Sequence, residues 1–101
     1  MPEREDDADL RRRLDAARRD AEDARGLLDN PMLARCLDAI RQEALRDFEE
    51  SAPGAAEERE RAHQLLLAVR RLDAKIKGFA AADEFAERSA RSRLRRQRGE
   101  G

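Results

Sequence analysis

Six arginines within eleven residues near the carboxyl end are the side chains of this sequence whose type and spacing best suit a chemical task. They are Arg88, Arg91, Arg93, Arg95, Arg96 and Arg98. Guanidinium groups at this density can neutralise several phosphates and release counterions, which gives a salt-dependent affinity for nucleic acid without reading bases. Residues 88–101 contain six bases and one acid, a net charge of +5, whereas residues 1–87 contain 16 bases and 22 acids, a net charge of −6. The arginine-rich segment is therefore the predicted nucleic-acid-binding element.

Two other interpretations of the arginine-rich segment stay open. It can dock on an acidic protein surface, or it can be a solubilising terminus without a partner. The chain has no tyrosine or tryptophan, and no phenylalanine lies between these arginines. Single-strand-binding proteins stack bases on aromatic rings, and this segment has no aromatic side chain that could bind single-stranded nucleic acid in that way. We predict weak, sequence-independent binding to double-stranded DNA.

Side chains that hold metals or act in catalysis are scarce. Cys36 is the only cysteine and His63 the only histidine, and they fall on different predicted helices, so we expect no transition-metal site. Cys36 lies beside an apolar seam, where cysteine acts as a small buried hydrophobe. Acid pairs such as Glu49 and Glu50 have no apolar surroundings suited to acid–base catalysis. The sequence has no glycine-rich phosphate loop, and we predict no catalytic residue, no cofactor and no enzyme activity.

Amphipathic helices must position the charged groups. A first seam of leucine and alanine, at steps of four and three, predicts a helix over about residues 8–28. Its members are Leu10, Leu14, Ala17, Ala21, Ala24 and Leu28. Whether this helix packs within the chain or on a partner stays open. Residues 1–30 form the first predicted domain, an acidic N-terminal helix.

A break follows at Asn30 and Pro31, because asparagine is a good N-cap and proline suits the first helical position. A second helix is predicted over residues 31–50 and a third over about residues 55–87. The breaker at residues 51–54 is short enough that the third helix must fold back on the second. The predicted fold is all-α, with an antiparallel helical hairpin as its central element.

Large apolar side chains at helical spacing on both hairpin helices are predicted to form a core and coiled-coil-like seams for oligomerisation. They are Leu33, Leu37, Ile40, Phe48, Leu65, Val69, Leu72, Ile76 and Phe79. Hydrophobic residues make up 40% of the chain, but 19 of them are alanine. Small chains with thin cores usually gain the missing burial by oligomerising. We therefore expect a homo-oligomer whose hairpin core is the second domain, residues 31–87.

The third predicted domain, residues 88–101, is expected to be disordered, because like charges repel and Leu94 is its one large apolar residue. The start of the chain is acidic, and the longest apolar run anywhere is five residues, Leu65–Val69, so neither a signal peptide nor a membrane span is expected. A single cysteine forms no intrachain disulfide. These features predict a cytoplasmic protein without membrane contact.

A motif with a known counterpart begins at residues 27–33, Leu-Leu-Asp-Asn-Pro-Met-Leu, and continues through Ala52-Pro53 and the stretch from 72 to 79. This segment resembles helical-hairpin proteins of tailed phages and gene transfer agents, in particular small terminase subunits. The resemblance implies a ring-forming hairpin that helps load double-stranded DNA onto a large terminase, which carries the ATPase and nuclease. Many small terminases also have an N-terminal helix-turn-helix domain, for which residues 1–28 offer at most one helix, so reading of a specific packaging site is not implied.

Three functional hypotheses follow. The leading one is a DNA-packaging accessory that oligomerises and presents double-stranded DNA, with the large terminase as its implied protein partner. The alternative is a helical structural or adaptor protein that docks on another virion or cellular protein. A third is a small regulator that binds and inhibits an enzyme.

Overall fold

Four helices make up most of the computed structural model, which describes residues 5–99. They are α1 (Glu5–Leu28), α2 (Pro31–Glu50), α3 (Ala56–Ala80) and α4 (Ala82–Gln97). No strand occurs within the described residues, and the predicted all-α class is confirmed. The helices belong to two compact units. The central unit is Leu27–Ile76, and the terminal unit combines the residues up to Gly26 with those from Lys77 onward.

Local side-chain chemistry defines the start of α2. The Asn30 backbone is extended, at φ −82° and ψ 112°, and its side-chain oxygen accepts a hydrogen bond of 2.8 Å from the backbone N–H of Met32. Pro31 then occupies the first helical position, where its missing N–H leaves no donor unsatisfied. The predicted bounds of this helix, residues 31–50, are confirmed. The predicted end of α1 at Leu28 is also confirmed, whereas its start lies three residues before the predicted one, at Glu5.

The connection between α2 and α3 depends on one glycine. Gly54 has a φ of 99°, a left-handed conformation that residues with a Cβ rarely adopt. Two hydrogen bonds from side chains support the connection: the Ser51 hydroxyl donates to the Phe48 carbonyl at 2.7 Å, and the Arg59 guanidinium donates to the Ala52 carbonyl at 3.1 Å. The chain is helical again from Ala56.

The core of the central unit is narrow. Its buried side chains lie seven residues apart on each helix, at Leu37 and Ala44 on α2 and at Ala62, Val69 and Ile76 on α3. Of the remaining predicted core residues, Leu33 and Ile40 are half-buried. The other four are exposed in the single chain, and their role in oligomerisation stays a prediction: Phe48, Leu65, Leu72 and Phe79.

The predicted third helix over residues 55–87 is in fact two helices. The break falls at Ala81, whose backbone has φ −102° and ψ 0° and whose N–H is shared between the carbonyls of Lys77 and Gly78, both at 3.3 Å. Gly78 weakens the end of α3, because glycine loses more backbone entropy in a helix than alanine does. Asp83 then favours a new start, because its carboxylate accepts a hydrogen bond of 2.8 Å from the Glu84 N–H and interacts favourably with the helix dipole.

The predicted disordered tail is wrong for residues 88–97, which belong to α4. Acids in its first turn and Arg95 and Arg96 in its last turn both complement the helix dipole. Ala90 is buried, so the helix also gains tertiary packing. Gly99 ends the helix with a φ of 72°, and its N–H donates to the Arg96 carbonyl at 3.1 Å, a glycine C-cap. Residues 1–4 of the predicted first domain and residues 100–101 of the predicted tail lie outside the described residues.

In the terminal unit α1 packs on α4 of the same chain, which answers where the first helix packs. One Arg25 Nη2 donates to both carboxylate oxygens of Asp83, each at 2.9 Å, and Arg18 donates to Glu87 Oε1 at 3.4 Å. Because the later residue of α1 pairs with the earlier residue of α4, the two helices are antiparallel. Among the described residues of this unit, the buried side chains are Ala21, Ala24 and Ala90.

The Arg25–Asp83 pair makes the terminal unit acid-sensitive. The hydrogen bonds from Arg25 lower the pKa of Asp83, against an opposing effect of burial. A carboxyl whose pKa is lowered in the folded state stabilises that state above its unfolded pKa, and the contribution is lost as the pH falls through the folded value. We therefore expect the melting temperature of the wild type to exceed that of Asp83→Asn near pH 7 and the two to converge below about pH 4. Thermal melts by circular dichroism at several pH values test this, with Asp20→Asn as the exposed control; parallel curves for Asp83→Asn and the wild type would contradict it.

Candidate nucleic-acid interface

All six predicted arginines are exposed and carried on an ordered element. Five of them lie on α4, and Arg98 is the residue that caps its carboxyl end. Among the described residues none of the six forms an ion pair; Arg96 only donates a hydrogen bond of 3.5 Å to the Ser92 hydroxyl. Arg18 and Arg25 of α1 differ, because their charges are matched by Glu87 and Asp83. The charge of the arginines in the second half of α4 is thus available to a ligand.

The helical repeat distributes these arginines over two faces of α4. Arg91, Arg95 and Arg98 follow at steps of four and three, so they share one face, which we call the outer face. Arg93 and Arg96, three residues apart, point to the side where α1 lies, because both line a groove with residues of α1. Arg88 lies at the edge of that groove.

The outer face has the dimensions of a phosphate-binding strip. From Arg91 to Arg98 the helix rises about 10 Å, at about 1.5 Å per residue. One strand of double-stranded DNA carries a phosphate about every 3.4 Å along the duplex axis, so about three phosphates span the same distance. Three arginines on this face can neutralise that number of phosphates, and contacts to phosphates carry no sequence information.

The groove between α1 and α4 has a volume of about 620 Å³ and a mixed character. Leu10 and Leu14 of α1 and Phe85 of α4 form its apolar floor. Its rim carries four arginines and no carboxylate: Arg13, Arg88, Arg93 and Arg96. The sequence indicates the apolar floor of the groove, since Leu10 and Leu14 both belong to the first seam. It does not indicate that α4 lies beside these leucines, and for that reason the sequence did not predict the groove.

The two residues considered as metal ligands lie at the surface. Cys36, predicted as a small buried hydrophobe, is exposed, because the helical repeat turns it away from the buried neighbour Leu37. His63 is exposed beside the buried Ala62 for the same reason. Within residues 5–99, no group of three or more histidine, cysteine or acidic side chains is placed to hold a metal ion.

Comparison with known proteins gave no relative: no family model matches the chain, and no curated protein and no solved structure is significantly similar to it. None of the helices in the described part of the chain has the length and apolar character needed to cross a membrane. The geometry of the arginines, the groove and the exposed apolar residues is therefore what supports a function.

Proposed function

We propose that this chain is a non-enzymatic DNA-packaging accessory of the small terminase type, which oligomerises and helps present double-stranded DNA to a large terminase motor. The observation that carries the proposal is the outer face of α4, where Arg91, Arg95 and Arg98 are exposed and form no ion pair with any described residue. An ordered helix holds these charges in fixed spacing, so they meet phosphates with less entropy loss than a disordered segment would. The resemblance of residues 27–33 to small terminases supplies the packaging context.

Self-association is the second part of the proposal, and α3 supports it. Ala62, Val69 and Ile76 are buried at heptad spacing, whereas Leu65 and Leu72, three residues further on, are 39% and 47% exposed. In a coiled coil both rows of a heptad pattern are covered. We infer that α2 and α3 form an antiparallel hairpin whose second row on α3, the heptad stripe of Leu65 and Leu72, packs on another copy.

The thin core supports the same conclusion. Among the described residues eight hydrophobic side chains are buried, and five of them are alanine. Burial stabilises by about 25 cal/mol per Å² of apolar surface, so alanines contribute little. Contacts between copies would bury the larger side chains that a single chain leaves exposed. An oligomer would also multiply the weak contact of each outer face with DNA through avidity.

Neutralising the outer face should weaken DNA binding. We expect the triple variant Arg91→Gln, Arg95→Gln and Arg98→Gln to lose about tenfold or more in affinity for a random-sequence duplex at low salt. The slope of log affinity against log salt should fall by about 2 to 3 for each engaged subunit, since each neutralised phosphate contributes about 0.9. Fluorescence anisotropy across a salt series measures both quantities, and light scattering checks that the oligomer is unchanged.

A matched control removes the same charge elsewhere. Arg35→Gln, Arg70→Gln and Arg71→Gln change three exposed arginines of the central unit and should leave binding within about twofold. Equal losses from both triple variants would show that net charge alone, rather than the outer face, controls binding. Absence of DNA binding by the wild type at low salt would reject the packaging proposal.

The alternative function, a helical structural or adaptor protein that docks on another virion or cellular protein, has one observation in its favour. Leu27, Leu28 and Met32 surround the break at Asn30, and all three are exposed. Large apolar side chains clustered at the surface often mark a protein-binding site. If the outer face does not bind DNA, the adaptor function is better supported than DNA packaging.

A further inference from the structure

We propose that the groove between α1 and α4 binds a short segment of single-stranded nucleic acid, with one base stacked on Phe85 and neighbouring phosphates bound by arginines of α4. This site uses a different face of α4 from the outer face. The inference therefore goes beyond the duplex binding and the self-association proposed above, and it depends on neither of them.

Phe85 supplies the aromatic ring that the arginine-rich segment itself lacks. It precedes Arg88 by three residues, and 69% of its surface is exposed where it lines the groove. Every nucleobase has a flat π face, so stacking on an exposed ring tolerates any sequence. The fold thus places one stacking surface beside the arginines.

The helical repeat places hydrogen-bond donors along the same stripe of α4 as this ring. Phe85, Ser89, Ser92 and Arg96 follow at steps of four, three and four, and Arg88 lies one turn from both Phe85 and Ser92. The two serines and the two arginines are exposed. Hydroxyl and guanidinium groups donate hydrogen bonds to phosphate oxygens and base edges. The stripe rises about 16 Å, which gives room for more than one nucleotide.

The charge of the stripe is available to an anion. No described residue that lines the groove carries a carboxylate. Arg88 and Arg96 form no ion pair with any residue of the described part, although Glu84 lies four residues before Arg88. A phosphate can therefore approach both guanidinium groups without displacing an internal partner.

The other two arginines of the rim have carboxylates near them. Arg13 pairs with Asp9 at 2.9 Å. Arg93 also lines a smaller hollow that it shares with Asp6 and Asp7. These acids weaken the attraction of a phosphate to Arg13 and Arg93. The two arginines of the stripe are thus the main phosphate-binding groups of the site.

The size of the groove favours a ligand of a few nucleotides over a protein. Its volume of about 620 Å³ lies within the range of about 300 to 1,000 Å³ that is typical of small-ligand sites. A stable protein interface uses about 20 to 30 residues of each partner, whereas ten described residues line the groove. A second copy presenting its own groove would also place arginines against arginines, and like charges at an interface cost affinity.

The serines of the stripe favour a nucleotide over an anionic amphiphile. An alkyl phosphate would satisfy the arginines and cover the ring. Its chain would also cover the hydroxyls of Ser89 and Ser92 without offering them a hydrogen bond, which costs binding free energy. A nucleotide has acceptors on its base, sugar and phosphate, so it can pair with the hydroxyls as well as stack on the ring.

A tryptophan in place of the ring tests stacking directly. The chain contains no tryptophan, so Phe85→Trp places a single fluorophore in the groove. We expect an oligodeoxythymidylate of about eight nucleotides to quench its fluorescence at low salt, because the bases stack on the indole. An abasic strand of the same length has the phosphates without the bases and should not quench. Oligouridylate of that length distinguishes RNA from DNA as the source of the strand, since it adds the 2′-hydroxyl.

A matched fluorophore outside the groove is the control. Met32→Trp changes an exposed residue of the central unit, and its fluorescence should stay constant when the same oligodeoxythymidylate is added. Circular dichroism checks that both tryptophan variants stay helical.

A leucine in place of the ring tests its contribution to affinity. Phe85→Leu keeps an apolar side chain and removes the π face, so affinity for the oligodeoxythymidylate should fall about fivefold or more in fluorescence anisotropy. Duplex affinity should stay within about twofold, because the outer face is unchanged. Arg88→Gln with Arg96→Gln should weaken binding of the oligodeoxythymidylate and of the abasic strand alike, since these arginines bind phosphates.

The possible failures are distinguishable. Equal quenching by the abasic strand, equal quenching at both tryptophan positions, or unchanged affinity of Phe85→Leu would overturn the inference while duplex binding by the outer face stands. A blue shift of the Phe85→Trp emission with dodecyl phosphate, and no response to the oligonucleotides, would assign the groove to anionic amphiphiles instead. Quenching by the oligodeoxythymidylate in a protein that does not bind duplex would support this site and reject the packaging proposal.

Discussion

Replacing Leu65 and Leu72 with aspartate should separate the copies while each chain stays helical. Both side chains are exposed in the single chain, so the new carboxylates remain solvated there. In the oligomer the same carboxylates would be buried without partners, at a cost of several kcal/mol. A cost of about 4 kcal/mol corresponds to roughly a thousandfold weaker association. Light scattering should show a lower molar mass, with an unchanged helical signal in circular dichroism.

The control for this experiment lies on the opposite face of the same helix. His63→Asp with Arg70→Asp introduces the same two carboxylates at exposed positions away from the heptad stripe. This control should keep the wild-type molar mass. If the Leu65 and Leu72 variant keeps it as well, α3 does not form the contact between copies.

Aspartate at Leu37 and Val69 should have a different outcome, the loss of the folded chain. These side chains are 7% and 5% exposed, and they are two of only three large buried residues in the described part of the chain. Each buried carboxylate without a partner costs several kcal/mol, and a domain is stable by only about 5 to 15 kcal/mol. We expect the double variant to lose most of its helical circular dichroism at 25 °C.

Volume-conserving replacements provide the comparison for that result. Leu37→Met with Val69→Ile keeps the core apolar and should lower the melting temperature only slightly, because such changes usually cost less than about 1.5 kcal/mol each. A double aspartate variant that remains fully helical would mean that these two positions do not form the core of the central unit.

The sequence predicted those parts of the fold that local chemistry determines. Asn30 and Pro31 specify the start of α2 by a side-chain cap and a fixed backbone angle, and Gly54 permits the turn before α3. These signals act between neighbouring residues, so their positions can be read directly. The core positions Leu37 and Val69 also followed from the helical spacing.

The order of α4 could not be predicted in the same way, because it depends on a distant helix. Arg25 and Asp83 are 58 residues apart, and no local pattern shows that they pair. Two local signals are present in the sequence: Asp83 at the start of the helix and Gly99 after its end. The candidate arginines could be identified from the composition of the sequence alone. Which of them lie on the outer face and which line the groove could not be predicted, because it depends on where α1 packs.

The alanine contact between α1 and α4 has a consequence for every salt titration of this protein. Ala21, Ala24 and Ala90 let the helices approach closely but interlock weakly, and the exposed ion pair of Arg18 and the half-exposed one of Arg25 contribute to the alignment of the two helices. Added salt screens such pairs. Rising ionic strength would then loosen the contact between α1 and α4 and also weaken the binding of the arginines to phosphates. If the slope of log affinity against log salt were attributed to counterion release alone, the number of phosphates bound would be overestimated.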